Sequence, residues 1–222
     1  MSKELFGQEF GAEFSVFEGK VWNFNRELDT GTFPYDPNLP TYCSIDFGYR
    51  QPAVLFLQTF WDNDLEHIRI FDTILHKQNI KTEDLIKMIK TKGYPIVSYY
   101  GDPAGSNVQG QTGAGDMEIF RRSGIRILST RDRVSRNIVN SVAYTRGFFE
   151  TADGVRRVHI DKKCKDIIED FEEYRYPETE DGKPIKEEPI KDGYHDHGND
   201  CFRYFIINRF PMKNQEMKRI KR

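Results

Sequence analysis

Cysteine is scarce in this chain: Cys43, Cys164 and Cys201 are the three among 222 residues, widely spaced and without a Cys-x-x-Cys pair. That spacing speaks against a disulfide framework and against a standard zinc knuckle. No uninterrupted apolar run reaches the ~18 residues that a membrane-spanning helix needs, so no membrane association is expected. The first residues, Met1 to Gly7, carry no basic-then-apolar leader, and a reduced, cytosolic protein is expected. An excess of one charge is also missing. Lys and Arg number 33 against 35 Asp and Glu, for a net of −2, so there is no global signature of nucleic-acid binding. Gly-x-x-x-x-Gly-Lys-Ser/Thr is absent, and so is Gly-x-Ser-x-Gly, which removes the P-loop and the serine-hydrolase elbow.

What is present is aromatic and locally charged. With 17 Phe, 11 Tyr and 2 Trp the chain can fill a core, which excludes wholesale disorder. Arg121, Arg122, Arg126, Arg131, Arg133 and Arg136 follow one another with Asp132 as the sole acid between them. Residues 213–222 hold five basic side chains against Glu216. Such stripes can track a phosphate backbone even on an acidic protein, although a solvated helix face and a frayed tail are the plainer explanation.

Three segments follow from composition and periodicity. Residues 1–40 are rich in Gly and Pro yet studded with aromatics, a lead-in that should pack on some surface. Residues 41–211 alternate strands and helices, and 212–222 form a basic tail. Tyr42–Phe47, Ala53–Trp61 and Leu65–Leu75 are strand-length runs with hairpin-sized links, so they should pair antiparallel. A helix after Thr82, a strand over Ile96–Tyr100, a glycine-rich loop over 101–115, a short helix over Asp116–Ser123 and a strand over Ile125–Leu128 come next. Val134–Arg146, Lys163–Tyr174 and Tyr194–Phe210 read as helices and Val155–Ile160 as a strand. Asp181-Gly182 predicts a β-hairpin within 177–193. The pattern predicts an α/β fold, a mixed sheet of about five strands flanked by helices.

Three acids stand at informative places. Asp46 ends the first of these strands, Asp102 follows the strand over 96–100, and Asp200 lies on the last helix with Asp196 and His197 one turn before it. If the two strands are neighbours, Asp46 and Asp102 emerge side by side, and a helix across that edge adds the others on one face. Taken singly, each Asp is an ordinary turn or cap residue. Together they would repel one another and resist burial, an arrangement usually tolerated for the sake of a divalent cation such as Mg²⁺ or Mn²⁺. His195, His197 and Cys201 fit no common zinc spacing.

Ser44-Ile45-Asp46-Phe47-Gly48, Tyr100-Gly101-Asp102-Pro103-Ala104 and Asp196-His197-Gly198-Asn199-Asp200-Cys201-Phe202-Arg203-Tyr204 together resemble the C-terminal nuclease domain of the large terminase subunit of tailed bacteriophages. The resemblance runs over most of residues 8–210, with Cys201 where the family commonly has Ala. It implies a ribonuclease H-like fold and a metal-dependent endonuclease that cuts concatemeric viral DNA during packaging. It also implies catalytic Asp46, Asp102, Asp200 and His197, and two Mg²⁺ or Mn²⁺ ions held by Asp46, Asp102, Asp196 and Asp200. The substrate would be double-stranded DNA, gripped by Arg121, Arg122, Arg126, Arg131 and Arg133 and by the 177–193 hairpin. In a full-length protein the partners would be an N-terminal packaging ATPase domain, absent from this chain for want of a Walker motif, together with the portal and the small terminase subunit. The setting would be the cytoplasm of the infected host. A RuvC-type junction resolvase and a non-catalytic docking module of the packaging motor stay open as alternatives.

Overall fold

A computed structural model describes residues 19–48, 51–102, 115–178 and 187–212. In chain order the elements are α1 (Arg26–Asp29), β1 (Thr30–Gly31), β2 (Thr41–Asp46), β3 (Ala53–Asp62), β4 (Leu65–Ile74), α2 (Thr82–Thr91) and β5 (Ile96–Gly101). They continue with α3 (Asp116–Arg122), β6 (Ile127–Leu128), α4 (Arg133–Arg136), α5 (Ile138–Phe149), β7 (Val158–Asp161), α6 (Lys165–Glu173) and α7 (Asp196–Arg209).

The strands form one seven-stranded mixed sheet in the order β1-β7-β4-β3-β2-β5-β6. The β2–β3–β4 meander is antiparallel as the short links require, and the β3–β4 turn places Asn63 and Asp64 at φ 47° and 62°. A two-residue turn with both residues left-handed matches the strand twist, and Asn and Asp tolerate it. β5 runs parallel to β2, β6 parallel to β5, and β7 parallel to β4.

Two of the seven strands, β1 and β6, have two residues each; β6 falls within the strand expected over Ile125–Leu128, and β1 is the one that periodicity does not reveal. β1 comes from the lead-in. Thr30 and Gly31 pair with Ile160 and Asp161, while Val21 and Trp22 are fully buried against α5 and α6. The helix expected over Val134–Arg146 is broken at Asn137, whose extended backbone ends α4 and whose side chain caps α5 by accepting from the Asn140 N–H at 3.0 Å. The Asp181-Gly182 turn of the hairpin expected within 177–193, residues 103–114 of the glycine-rich loop expected over 101–115, and the basic tail from Lys213 lie outside the described residues.

Helices cover both faces. Cys43, Ile45, Val54 and Phe56 pack with α2 and α3, whereas Tyr42, Leu55, Leu57, Ile68 and Ile160 pack with α5, α6 and α7. This two-residue alternation decides where the acids point.

Candidate active site

On β2, Tyr42 belongs to the α7 face and Cys43 and Ile45 to the opposite one. Asp46 therefore shares the α7 face with Tyr42 and Ser44. Ser44 fixes the distance, since its hydroxyl donates to the Cys201 carbonyl of α7 at 2.7 Å. Cys201 is fully buried beneath the helix, with its Sγ 3.6 Å from the Ala53 carbonyl. A small residue at 201 lets helix and sheet approach closely.

On the neighbouring β5, Ile45 is registered with Gly101, so Asp46 and Asp102 are the next residues on adjacent parallel strands. Tyr100 packs on the α7 face, and Asp102 has the same parity. Gly101 is needed there. A Cβ would stand 2.9 Å from the Phe47 ring and 3.2 Å from the Ile45 carbonyl. β2 and β5 are thus neighbours, the condition under which the two acids stand side by side.

α7 supplies the remainder. His197 Nδ1 is 3.0 Å from Asp46 Oδ2. Asp200 is nearly buried, and both its oxygens are engaged. Oδ2 accepts from Lys191 Nζ at 2.8 Å, and Oδ1 accepts from Arg203 Nε at 3.2 Å and from Arg203 NH2 at 2.9 Å. Asp196 is buried in the first turn, where its Oδ1 accepts from the Gly193 N–H at 2.7 Å.

The electrostatics separate the carboxylates. Burial pushes the Asp46 carboxyl up to about 6; Asp200 and Asp102 push the same way, and His197 pulls it back. The His197 imidazole is raised, first by its hydrogen bond to Asp46. Burial also opposes ionisation of Asp200, but Arg203 and Lys191 outweigh it and hold that carboxyl below its ordinary value. Burial raises Asp196. One site therefore contains a firmly ionised carboxylate and a second one poised close to neutrality.

At the end of the β2–β5 pair Asp46 meets His197 and feels the charges of Asp200 and Asp102, whereas Asp196 is turned to the Gly193 N–H and also acts on Asp170. The arginines are elsewhere, on α3, just before β6, and before and at the start of α4, all exposed. Arg121 and Arg122 bind Glu118 of their own helix at 2.7 and 3.0 Å. The sequence pattern assigns no role to Lys191 or Arg203. Arg203 stands at i+3 from Asp200 on the helix, a spacing that could have revealed it. Lys191 reaches the site from an irregular segment and leaves no local signal.

No protein-family model matches the chain. It is 23% identical over 217 residues to the large terminase subunit of Escherichia phage T5, a match over 94% of this chain and 46% of that protein. The chain thus spans about half the length of its curated relative. The nuclease domain of the P22 large terminase superposes with a TM-score of 0.64 at 17% identity, over 86% of this chain and 92% of that one. The nuclease domain of the large terminase g2p of bacteriophage SPP1, with bound Mn, gives 0.54 at 11% identity, over 80% and 95%. The likeness establishes the fold, the ribonuclease H-like arrangement of those domains.

Proposed function

We propose that this chain is the metal-dependent nuclease unit of a phage large terminase and hydrolyses phosphodiester bonds in double-stranded viral DNA during packaging. The observation that carries the reading is the convergence of Asp46 and Asp102, from adjacent parallel strands, with His197 and Asp200 of α7. The T5, P22 and SPP1 relatives support it, and the manganese of the SPP1 domain supports the choice of cation.

The donor set fits a hard divalent cation. Its ligands would be carboxylate oxygens, the class that suits Mg²⁺ and Mn²⁺. Burial and like charge push Asp46 up to about 6, a tension that a cation relieves. Asp46, Asp102 and Asp200 would hold it, with Asp196 at the edge of the set. When bound, the metal stabilises charge on the attacking and leaving oxygens of the displacement.

The side chains divide the remaining work. Asp46 fixes the ring of His197 through Nδ1, which leaves Nε2 as the nitrogen able to exchange a proton with a water or phosphate oxygen. Arg203, buried and also donating to Ser141 Oγ at 3.0 Å, holds Asp200 ionised and in place. Lys191 sits on Asp200 Oδ2 and must swing aside for that oxygen to serve as a ligand. Its side chain is 56% exposed, so it has room to do so. In a longer protein the unit would work beside a packaging ATPase, the portal and the small subunit, in the cytoplasm of the infected host. Arg121, Arg122, Arg126, Arg131 and Arg133 would hold phosphates without reading sequence.

The test is incubation of supercoiled plasmid with Mn²⁺, with Mg²⁺ and with EDTA. Cleavage with either ion, none in EDTA, and a broad distribution of cut ends are expected. Absence of cleavage in both metals would favour a docking module. A strong preference for four-way junctions would favour a resolvase.

A further inference from the structure

Near the N-terminus of α7, three residues from three parts of the fold meet. His76 follows β4, Asp170 lies on α6, and His195 immediately precedes α7. His76 Nε2 is 2.9 Å from Asp170 Oδ1, and His195 Nδ1 is 3.0 Å from the same oxygen. The three ligating atoms all lie within 4.8 Å of one another. We propose that His76, Asp170 and His195 form a second metal site, distinct from the carboxylate cluster, that takes a late first-row divalent ion of the zinc class.

The donor chemistry selects the ion. Two imidazoles and one carboxylate suit Zn²⁺ or Co²⁺ and disfavour Mg²⁺. The geometry is close to what such an ion needs. Ligand atoms about 2.0–2.2 Å from a tetrahedral zinc stand roughly 3.3 Å apart. Two of the three edges therefore need to widen by only a few tenths of an ångström. The rings of His76 and His195 are near perpendicular, at 80°, and a nitrogen of each reaches the same Asp170 oxygen. Tyr194 stacks on His76, with ring centroids 4.1 Å apart.

Asp170 gives an independent indication of a ligand. Its side chain is completely buried, and Oδ2 has no hydrogen-bond partner among the described residues. A buried carboxylate oxygen without a donor is costly, and such oxygens are normally satisfied. The charges around it make the cost larger, since burial and the carboxylates of Asp166, Asp192, Glu169 and Asp196 all oppose its ionisation. A divalent cation in the cluster removes that opposition. The backbone makes room for the cluster. Gly198 lets α7 approach α6, because a Cβ there would lie 2.2 Å from Asp170 Oδ2.

The consequence is structural. An ion at this point would tie the β4–α2 link and α6 to the start of α7, two residues before His197. It would fix the helix that carries His197 and Asp200 while leaving the oxygen-rich cluster to Mg²⁺ or Mn²⁺. The inference does not depend on the nuclease reading.

Co²⁺ titration of the purified chain, followed by visible absorption, is the test. Wild type and Asp46→Asn should both take up one Co²⁺ with the intense bands of a low-coordinate nitrogen-containing site, displaced by Zn²⁺. His76→Gln and His195→Gln should each weaken that uptake by at least about tenfold, the loss expected when a site's ligand set is broken. X-ray absorption on the Zn²⁺-loaded wild type requires no variant and should report two imidazole nitrogens. Bands unchanged in both folded histidine variants, bands lost in Asp46→Asn, or a zinc shell made of oxygen alone would overturn the proposal.

Discussion

Asp46 is the residue on which the site turns. Its folded pKa of about 6 lies above the ordinary 3.8, so the folded chain keeps a proton that the unfolded chain releases. The contribution to stability therefore falls as pH rises from about 4 through about 6, and the full penalty is present at pH 7. Asp46→Asn removes that charge while its amide oxygen can still accept from His197. Metal-free stability at pH 7 should hold or rise, by on the order of 1 kcal/mol, and cleavage in Mn²⁺ should vanish. Thermal melts in EDTA and plasmid assays in Mn²⁺ measure the two halves. A variant that melts far below wild type yet cleaves normally would make Asp46 a structural residue. Lys191 provides a second case. Its ammonium occupies Asp200 Oδ2 at 2.8 Å, where it competes with a metal for the same oxygen. Lys191→Met should lower the Mn²⁺ concentration for half-maximal binding about two- to fivefold, the worth of a partly exposed ion pair. Calorimetric titration would show it, and an unchanged or weaker affinity would mean that Lys191 does not compete.

At the scale of elements, the edge formed by β1, β7 and β4 relies on polar pairs that cross long stretches of chain. Arg156 binds both oxygens of the fully buried Asp29, with Nε at 2.5 Å and NH2 at 2.6 Å, and also donates to the Asn23 carbonyl. Arg156→Ala would strand that carboxylate, and removal of one partner of a buried pair costs about 3–5 kcal/mol. Urea unfolding should register the loss, and a change below about 1 kcal/mol would place the pair among ordinary surface bridges. On β7, His159 Nε2 is 3.0 Å from His67 Nδ1 on β4. Burial pushes the His159 imidazole down to about 4, helped by His67 and Arg69, and opposed by Asp29 and Asp62. A depressed histidine stays neutral in the folded chain after the unfolded chain has taken up its proton. Stability should accordingly decline as pH falls from about 6.5 towards 4. His159→Gln should flatten that decline in melts recorded across the interval; an unchanged slope would assign the acid sensitivity to other groups.

For the whole molecule, the proposed action on DNA requires a local basic surface on a chain of net charge −2. Arg121 and Arg122 spend part of their charge on Glu118. Arg126, Arg131 and Arg133 are exposed, and the acid beside them in sequence, Asp132, is occupied in capping α4, where it accepts from the Ser135 N–H at 2.8 Å. Neutralising Arg126, Arg131 and Arg133 together should weaken DNA binding evenly across sequences. It should also flatten the salt dependence by about 0.9 in logarithmic slope for each phosphate that is no longer neutralised. The Arg121, Arg122 pair should matter less. Filter binding over a salt series measures both, and an intact slope in the triple variant would move the DNA to another surface, with the basic tail next in line.

Much of the backbone placement of the candidate site was legible in the sequence because its logic is local. Alternation along Tyr42-Cys43-Ser44-Ile45-Asp46 sets which face Asp46 shares, hairpin-length links dictate the antiparallel meander, and helical spacing puts Asp196, His197 and Asp200 on one turn. The two-residue strand β1 carries too few residues to show a period, and the break at Asn137 hides inside an otherwise helical run. Pairings across great sequence distance were beyond reach. Arg156 with Asp29 spans 127 positions, and His76 with Asp170 spans 94. Periodicity and turn chemistry describe a residue's immediate neighbours along the chain. Which elements become neighbours in space is decided only when the sheet closes its order and both faces are covered, and that step put Lys191 on Asp200 and gathered His76, Asp170 and His195 around one oxygen.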